Sequence, residues 1–275
     1  MPRRLRLSSI LLSAVCAALR LTAQPADAPV LPLDDLRPGQ TGEVWTVFQG
    51  NKPEAFSVKV TGVVRNALGP GKNMILCELT DPRVQSMGAV AGMSGSPLYI
   101  GGKLAGVLSY QIQRFETVRY AGFTPISDML EISALPAIPA APALPLPNPT
   151  LPVKGNRDTR TGSLAEGDLR PLQPVFAVSG IAPEVAALFE PQLQSLGLAI
   201  NALGGSTAGA TATGPADVSA PPPALQPGDV VSAALATGDI TLAATGTVSY
   251  ANGGRILAFG HPMLSLGATE LPMAE

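Results

Sequence analysis

The chain has 275 residues, a formal net charge of −2, and 46% hydrophobic residues. That length is sufficient for one large or two small domains with packed cores. Glycine (29 residues) and proline (28 residues) are abundant and aromatic residues make up only 4%, which favours short strands and turns over a helical bundle. The slightly acidic balance argues against nucleic acid as a partner.

Residues 1–23 have the features of an export signal. A basic start with three arginines is followed by the apolar run at residues 7–19, which is too short to span a bilayer. Small residues come next, and cleavage is expected after Ala18 or Ala23. We therefore expect a secreted or periplasmic mature protein, more acidic than the precursor and without a stable membrane span.

Cysteine and histidine counts restrict the chemistry of the mature chain. Loss of the signal removes Cys16 and leaves Cys77, so no internal disulfide is expected. Cys77 lies in the apolar residues 74–79 and is expected in the core. His261 is the single histidine, which argues against a zinc site of the usual kind. No metal or other cofactor is expected.

The first half of the chain predicts strands and two short helices. Strands are expected at residues 41–48, 73–80 and 118–124, and at 55–65, where apolar and polar side chains alternate. Asp81 before a proline predicts a helix N-cap, and residues 126–132 have helical spacing. Two apolar runs around Gly101-Gly102 predict a tight hairpin.

The second half begins with a proline-rich stretch. We expect a linker at residues 135–170, a helix at 183–196, and no order at 204–223. Strands are predicted at 229–235, 239–250 and 255–259, with an Asn252-Gly253 turn before the last of them. The expected domains are therefore 31–134 and 171–275, the second apparently truncated because few residues remain to close its core.

The sequence GMSGSP at residues 92–97 is the strongest chemical signal. A nucleophilic serine needs a tight turn that exposes its hydroxyl, and backbone N–H groups aimed at one oxyanion. Glycines on both sides of Ser94 permit such a turn, and the N–H groups of Gly92 and Ser94 are the expected oxyanion donors. Taken alone, the motif leaves an ordinary glycine-rich turn as an open alternative.

Residues 92–97 and the following LYIGGKLAGVLSY resemble the serine loop and hairpin of chymotrypsin-like proteases. The resemblance implies an all-β double β-barrel. It also implies that the strand carrying Val107, Leu108, Ser109 and Tyr110 pairs with the substrate backbone. Met93 stands where trypsin-like enzymes usually have an acid, so their zymogen switch is not expected here.

A more specific resemblance is to the peptidase family of sporulation stage IV protein B. It is carried by LTDPRV at 79–84, GMSGSP at 92–97 and GTVSYANGGRILAFGH at 246–261. The resemblance implies Ser94 as nucleophile, His261 as general base and Asp81 as the acid that orients it. The serine block precedes the histidine block here, which implies a permuted double barrel whose second barrel is incomplete.

Two questions stay open at this point. Asp81 is equally well explained as a helix N-cap, with Asp239 or an acid beyond Glu275 as alternatives for the third residue. The predicted function is a serine endopeptidase acting on proteins or peptides through an acyl-enzyme on Ser94. The alternative is an inactive protease fold that binds peptides or serves as a scaffold. A short distance between Ser94 and His261 would favour the enzyme.

Overall fold

A computed structural model describes residues 27–90, 92–112, 118–135, 169–172, 175–195, 199–202, 224–263 and 271–274. The predicted export signal and residues 204–223 lie outside the described residues, as does most of the predicted linker. No helix in the described ranges is long and apolar enough to cross a membrane.

The first half of the chain forms a closed antiparallel barrel. Its six strands are β1 (Thr41–Thr46), β2 (Glu54–Gly69), β3 (Lys72–Leu79), β4 (Pro97–Ile100), β5 (Lys103–Ile112) and β6 (Tyr120–Pro125). Their order in the sheet is β4-β1-β2-β3-β6-β5, and pairing between β4 and β5 closes the ring.

Alternating side chains explain why the barrel strands form where they do. Phe56, Val58 and Val60 on β2 all point into the core, and Cys77 is buried across from Val60 on β3. The predicted half-buried strand and the core position of this cysteine are thus both present. Two helices follow strands of the barrel, α1 (Pro82–Met87) and α2 (Ile126–Ser133).

The second half of the chain forms a second sheet with the order β13-β10-β11-β8-β9, and β12 pairs with β11. Over the described ranges this sheet does not close. Its strands are β8 (Val175–Ser179), β9 (Ala199–Ala202), β10 (Val230–Ala236), β11 (Thr241–Asn252), β12 (Arg255–Ala258) and β13 (Met273–Ala274), with helix α3 (Pro183–Ser195) between β8 and β9.

One further strand, β7 (Leu169–Pro171), belongs to the first sheet and pairs with β5. The predicted linker ends inside this strand, and Leu172 packs in the main core cluster of the barrel. A closed antiparallel barrel beside a second sheet confirms the predicted all-β, chymotrypsin-like fold class.

Candidate active site

Ser94 lies in a tight turn directly before β4, which we call the serine loop (residues 92–96). The turn is held by bonds from the Met93 N–H to the Val90 carbonyl (3.2 Å) and from the Ser96 N–H to the Met93 carbonyl (3.0 Å). Gly92 and Gly95 have φ angles of 94° and 92°, a conformation that L side chains rarely adopt. The glycines flanking Ser94 are therefore required by the backbone.

The serine loop is docked on β11 of the second sheet. The Thr247 N–H donates to the Ser94 carbonyl at 2.8 Å, and the Ser249 hydroxyl donates to the Gly95 carbonyl at 2.7 Å. A Cβ added at Gly95 would lie 2.3 Å from the Thr247 carbonyl oxygen and 2.5 Å from the Phe259 nitrogen. The contact between the two sheets thus depends on the absence of a side chain at this position.

His261 follows β12 at a sharp bend and reaches the serine. Phe259 (φ 69°) and Gly260 (φ 74°) turn the chain after the strand. His261 Nε2 then lies 2.5 Å from Ser94 Oγ, although the two residues are 167 positions apart. The Phe259 carbonyl oxygen is also 2.5 Å from Ser94 Oγ. The fold therefore brings together the predicted nucleophile and the predicted base.

The other ring nitrogen fixes the tautomer of His261. Its Nδ1 is 2.9 Å from the Pro262 carbonyl oxygen, which can only accept a hydrogen bond, so Nδ1 carries the proton. In the neutral ring the lone pair of Nε2 then faces the Ser94 hydroxyl. This is the tautomer that a general base requires.

Burial sets the ionisation of His261. Loss of hydration lowers the pKa of the imidazole below its ordinary value of 6.5, and hydrogen bonds to the backbone of Pro262 and Leu172 partly oppose that effect. The ring is consequently neutral near pH 7 and able to accept a proton.

Two buried hydroxyls of the barrel fix the backbone next to the histidine. Thr124 Oγ1 donates to the Gly260 carbonyl at 2.8 Å, and Ser109 Oγ lies 3.1 Å from the same oxygen. The two hydroxyls are also 2.9 Å from each other. Because Gly260 directly precedes His261, this network holds the imidazole in position against the serine loop.

Asp81 is not brought to this pair. Its carboxylate caps α1 through the Arg83 N–H at 2.9 Å and forms an ion pair with the Arg83 guanidinium at 3.1 Å. Hydrogen bonding to Arg83 lowers the pKa of Asp81 below its ordinary value. The structure thus places Asp81 in the capping role, and a carbonyl oxygen rather than a carboxylate holds Nδ1 of His261.

The predicted oxyanion donors lie in the expected turn. In the described part of the chain, the N–H groups of Gly92 and Ser94 donate to no backbone carbonyl, although those of Met93, Gly95 and Ser96 do. Within the described residues, the two amides on either side of Met93 thus have no backbone acceptor, which is compatible with the predicted role as oxyanion donors.

The predicted substrate strand is β5, and only part of it has an open edge. Val107 is paired on both sides, with Pro97 and with Thr124. Leu108 bonds to the serine loop through both its N–H and its carbonyl, so neither residue can pair with a substrate as predicted. The edge becomes available at Ser109 and Tyr110, where β7 occupies it.

Several residues of the site were not predicted from the sequence: Thr124, Thr247, Ser249, Phe259 and Gly260. The available signal was the run of hydroxyl residues at alternate positions, Thr245, Thr247 and Ser249, on the predicted strand at 239–250. Polar side chains that face a buried side need partners, and here the partners are carbonyl groups of the serine loop. No group of three or more metal-binding side chains occurs in the described ranges.

The barrel beside a second sheet defines a chymotrypsin-like fold, and this fold places the imidazole of His261 at the Ser94 hydroxyl. The family model of the SpoIVB peptidase S55 matches residues 18–129. Over that segment the chain is similar to the SpoIVB peptidase family, in agreement with the resemblance seen in the sequence. The matched segment contains Asp81 and Ser94 and ends before His261. Comparisons with curated proteins and with solved structures give no significant match.

Proposed function

We propose that the protein is an exported serine endopeptidase in which Ser94 is the nucleophile and His261 is the general base. The observation that carries the proposal is the 2.5 Å contact between Ser94 Oγ and His261 Nε2. The match to the SpoIVB peptidase family supports a peptidase, and the tautomer and lowered pKa of the histidine support its role as a base.

The first step transfers one proton and forms one bond. His261 Nε2 accepts the hydroxyl proton of Ser94 while Oγ bonds to the carbonyl carbon of the scissile peptide. The negative charge that develops on the carbonyl oxygen is stabilised by the N–H groups of Gly92 and Ser94. The imidazolium then gives its proton to the leaving amine as the C–N bond breaks.

The second step returns the enzyme to its starting state. A water molecule attacks the acyl-enzyme, and His261 accepts one of its protons and passes it to Ser94 Oγ as the ester bond breaks. In both steps the positive charge on the imidazole faces the Pro262 carbonyl rather than a carboxylate. We therefore propose a Ser–His dyad aided by backbone carbonyls and assign Asp81 to stability.

The remaining parts of the proposal come from the sequence. The basic start and short apolar run at residues 1–23 favour export to the periplasm or the exterior. A peptidase of this family acts on proteins or peptides, and the proposed chemistry uses protein groups alone, without a cofactor.

Labelling with a fluorophosphonate probe tests the dyad. We expect the wild-type protein to be labelled, and the labelling rate to fall by about 10⁴-fold or more in Ser94→Ala and in His261→Ala. Ser86→Ala is the matched control, because this exposed serine of α1 only contacts a backbone carbonyl of its own helix. Absence of labelling in a folded wild-type protein would refute the proposed nucleophile.

A further inference from the structure

The open edge of β5 is occupied by the chain itself. Strand β7 lies antiparallel to β5, with Arg170 opposite Gln111 and Pro171 opposite Tyr110. The Leu172 N–H continues the pairing by donating to the Ser109 carbonyl at 2.8 Å. Residues 169–172 therefore form an extended peptide on the same edge at which a substrate strand would pair.

This segment ends at the proposed catalytic pair. Leu172 pairs with Ser109, and the Ser109 hydroxyl lies 3.1 Å from the carbonyl oxygen of Gly260, the residue before His261. Leu169, Arg170 and Pro171 run away from the pair in the N-terminal direction. Leu172 is therefore the residue of the segment nearest to the proposed pair, and we assign to it the position of the residue that supplies the attacked carbonyl.

The side chain of Leu172 is buried in apolar surroundings, as the side chain of a residue that determines substrate specificity would be. It is 1% exposed and belongs to the apolar core cluster that includes Met93 of the serine loop and Leu108 of β5. The neighbouring Arg170 and Pro171 are exposed. The apolar core of the barrel therefore receives one side chain of the segment, while the two preceding side chains are exposed.

We infer that residues 169–172 are an internal substrate mimic, and that the enzyme binds extended peptides with an aliphatic residue at the position of Leu172. The inference rests on the proposed function, in which Ser94 and His261 form the catalytic pair of a peptidase. External peptides compete with this segment for the β5 edge. They bind only to molecules in which the edge is free, so their apparent affinity falls in proportion to the fraction of such molecules.

Peptide binding in a Ser94→Ala background tests the inference without requiring catalysis. The probe is fluorescein-labelled Leu-Arg-Pro-Leu amide, and fluorescence anisotropy reports its binding. Leu172→Asp places a charge in the apolar core of the barrel and should displace residues 169–172 from β5. We therefore expect the probe to bind at least about tenfold more tightly to this variant. Leu188→Asp is the matched control on exposed α3, and it should leave binding unchanged.

A second probe and a second variant complete the test. A peptide ending in aspartate should bind at least about tenfold more weakly than the leucine peptide. Leu172→Ala removes most of the side chain without adding a charge, so it provides the same test if circular dichroism shows that Leu172→Asp is unfolded. Unchanged affinity in a folded Leu172 variant, or equal binding of the two peptides, would overturn the inference. The labelling experiment decides the proposed function separately.

Discussion

At the residue scale, the Ser94 hydroxyl has one proton and two acceptors. His261 Nε2 and the Phe259 carbonyl oxygen are both 2.5 Å from Ser94 Oγ. Only the hydrogen bond to the imidazole leads to chemistry, because a carbonyl oxygen cannot take the proton away. The fraction of time spent in that hydrogen bond depends on the imidazole remaining neutral.

The pH dependence of labelling follows from this requirement. Burial lowers the pKa of His261, so the neutral base persists to pH values below 6.5. We expect the labelling rate to be constant near neutral pH and to fall on acidification with a midpoint below 6.5. The same shift makes folding lose stability as the pH falls from 6.5 through the folded-state pKa, since protonation favours the unfolded chain.

Rates of fluorophosphonate labelling across about pH 4.5 to 8 measure this midpoint. Circular dichroism at each pH shows whether the protein is still folded. A midpoint above 6.5 would contradict the arrangement, because it would require an acidic partner that raises the pKa of the imidazole.

Substitutions at Asp81 distinguish a helix cap from a catalytic acid. Because its carboxylate bonds to Arg83 at the start of α1, Asp81→Ala should cost about 1 kcal/mol of folding free energy. Asp81→Asn, which retains a capping oxygen, should cost less. Both variants should be labelled within about twofold of wild type, whereas loss of a triad acid costs about 10⁴-fold in rate. Chemical denaturation and labelling kinetics give the two quantities.

At the element scale, the site is a junction between the serine loop and the β11–β12 hairpin. Close backbone approach makes the junction, since Gly95 meets Thr247 and Phe259 with no room for a side chain. Side-chain hydroxyls then align the two elements, as in the bond from Ser249 to the Gly95 carbonyl. Any change that separates these elements should separate the nucleophile from the base.

Gly95→Ala tests the junction. The added Cβ would clash with backbone atoms that cannot move without displacing β11, and alanine is strained at a φ of 92°. We expect a loss of about 2 kcal/mol or more in folding free energy and at least a 100-fold fall in labelling rate. Gly62→Ala is the control, because a Cβ there meets nothing within 4 Å. Equal behaviour of the two variants would contradict the role of the close approach.

Elements with a strong pattern were predictable, and those held by tertiary pairing were not. The alternation of β2 was sufficient to place that strand, and the turn predicted at Asn252-Gly253 is present one residue later, at Gly253-Gly254 between β11 and β12. Strand β7 has no such pattern, because Leu-Arg-Pro becomes a strand only through its pairing with β5. The serine and histidine were found by their chemistry. Their partners are the carbonyl oxygens of Phe259, Gly260 and Pro262. Every residue has such an oxygen, so the residue types at these positions do not reveal these hydrogen bonds.

At the scale of the whole molecule, the two halves contribute one proposed catalytic group each. Ser94 belongs to the barrel, and His261 to the second sheet, which has its own apolar cluster around Val231 and Val248. The larger core cluster of the barrel contains no side chain of the second sheet, although Tyr250 and Leu257 pack against the smaller barrel cluster around Trp45. Catalysis should therefore be more sensitive than barrel stability to damage in the second half.

Val231→Asp tests this division. An unpaired charge in the second core should cost more than about 3 kcal/mol there and displace His261, so labelling of Ser94 should be lost. Fluorescence of Trp45, the single tryptophan and a barrel residue, should stay close to that of wild type. Ile240→Asp, at an exposed position of the same half, should leave both signals unchanged. A simultaneous loss of the tryptophan signal would show that the halves fold as one unit.

The 167-residue separation between Ser94 and His261 also determines how long after the serine the histidine is added during synthesis. At a synthesis rate of about 5 to 20 residues per second, roughly 10 to 30 s pass between the addition of Ser94 and that of His261. During this interval the growing chain contains its serine but no base to activate it. In the proposed mechanism, the order of the two blocks along the chain therefore delays activation of Ser94 until synthesis has passed His261.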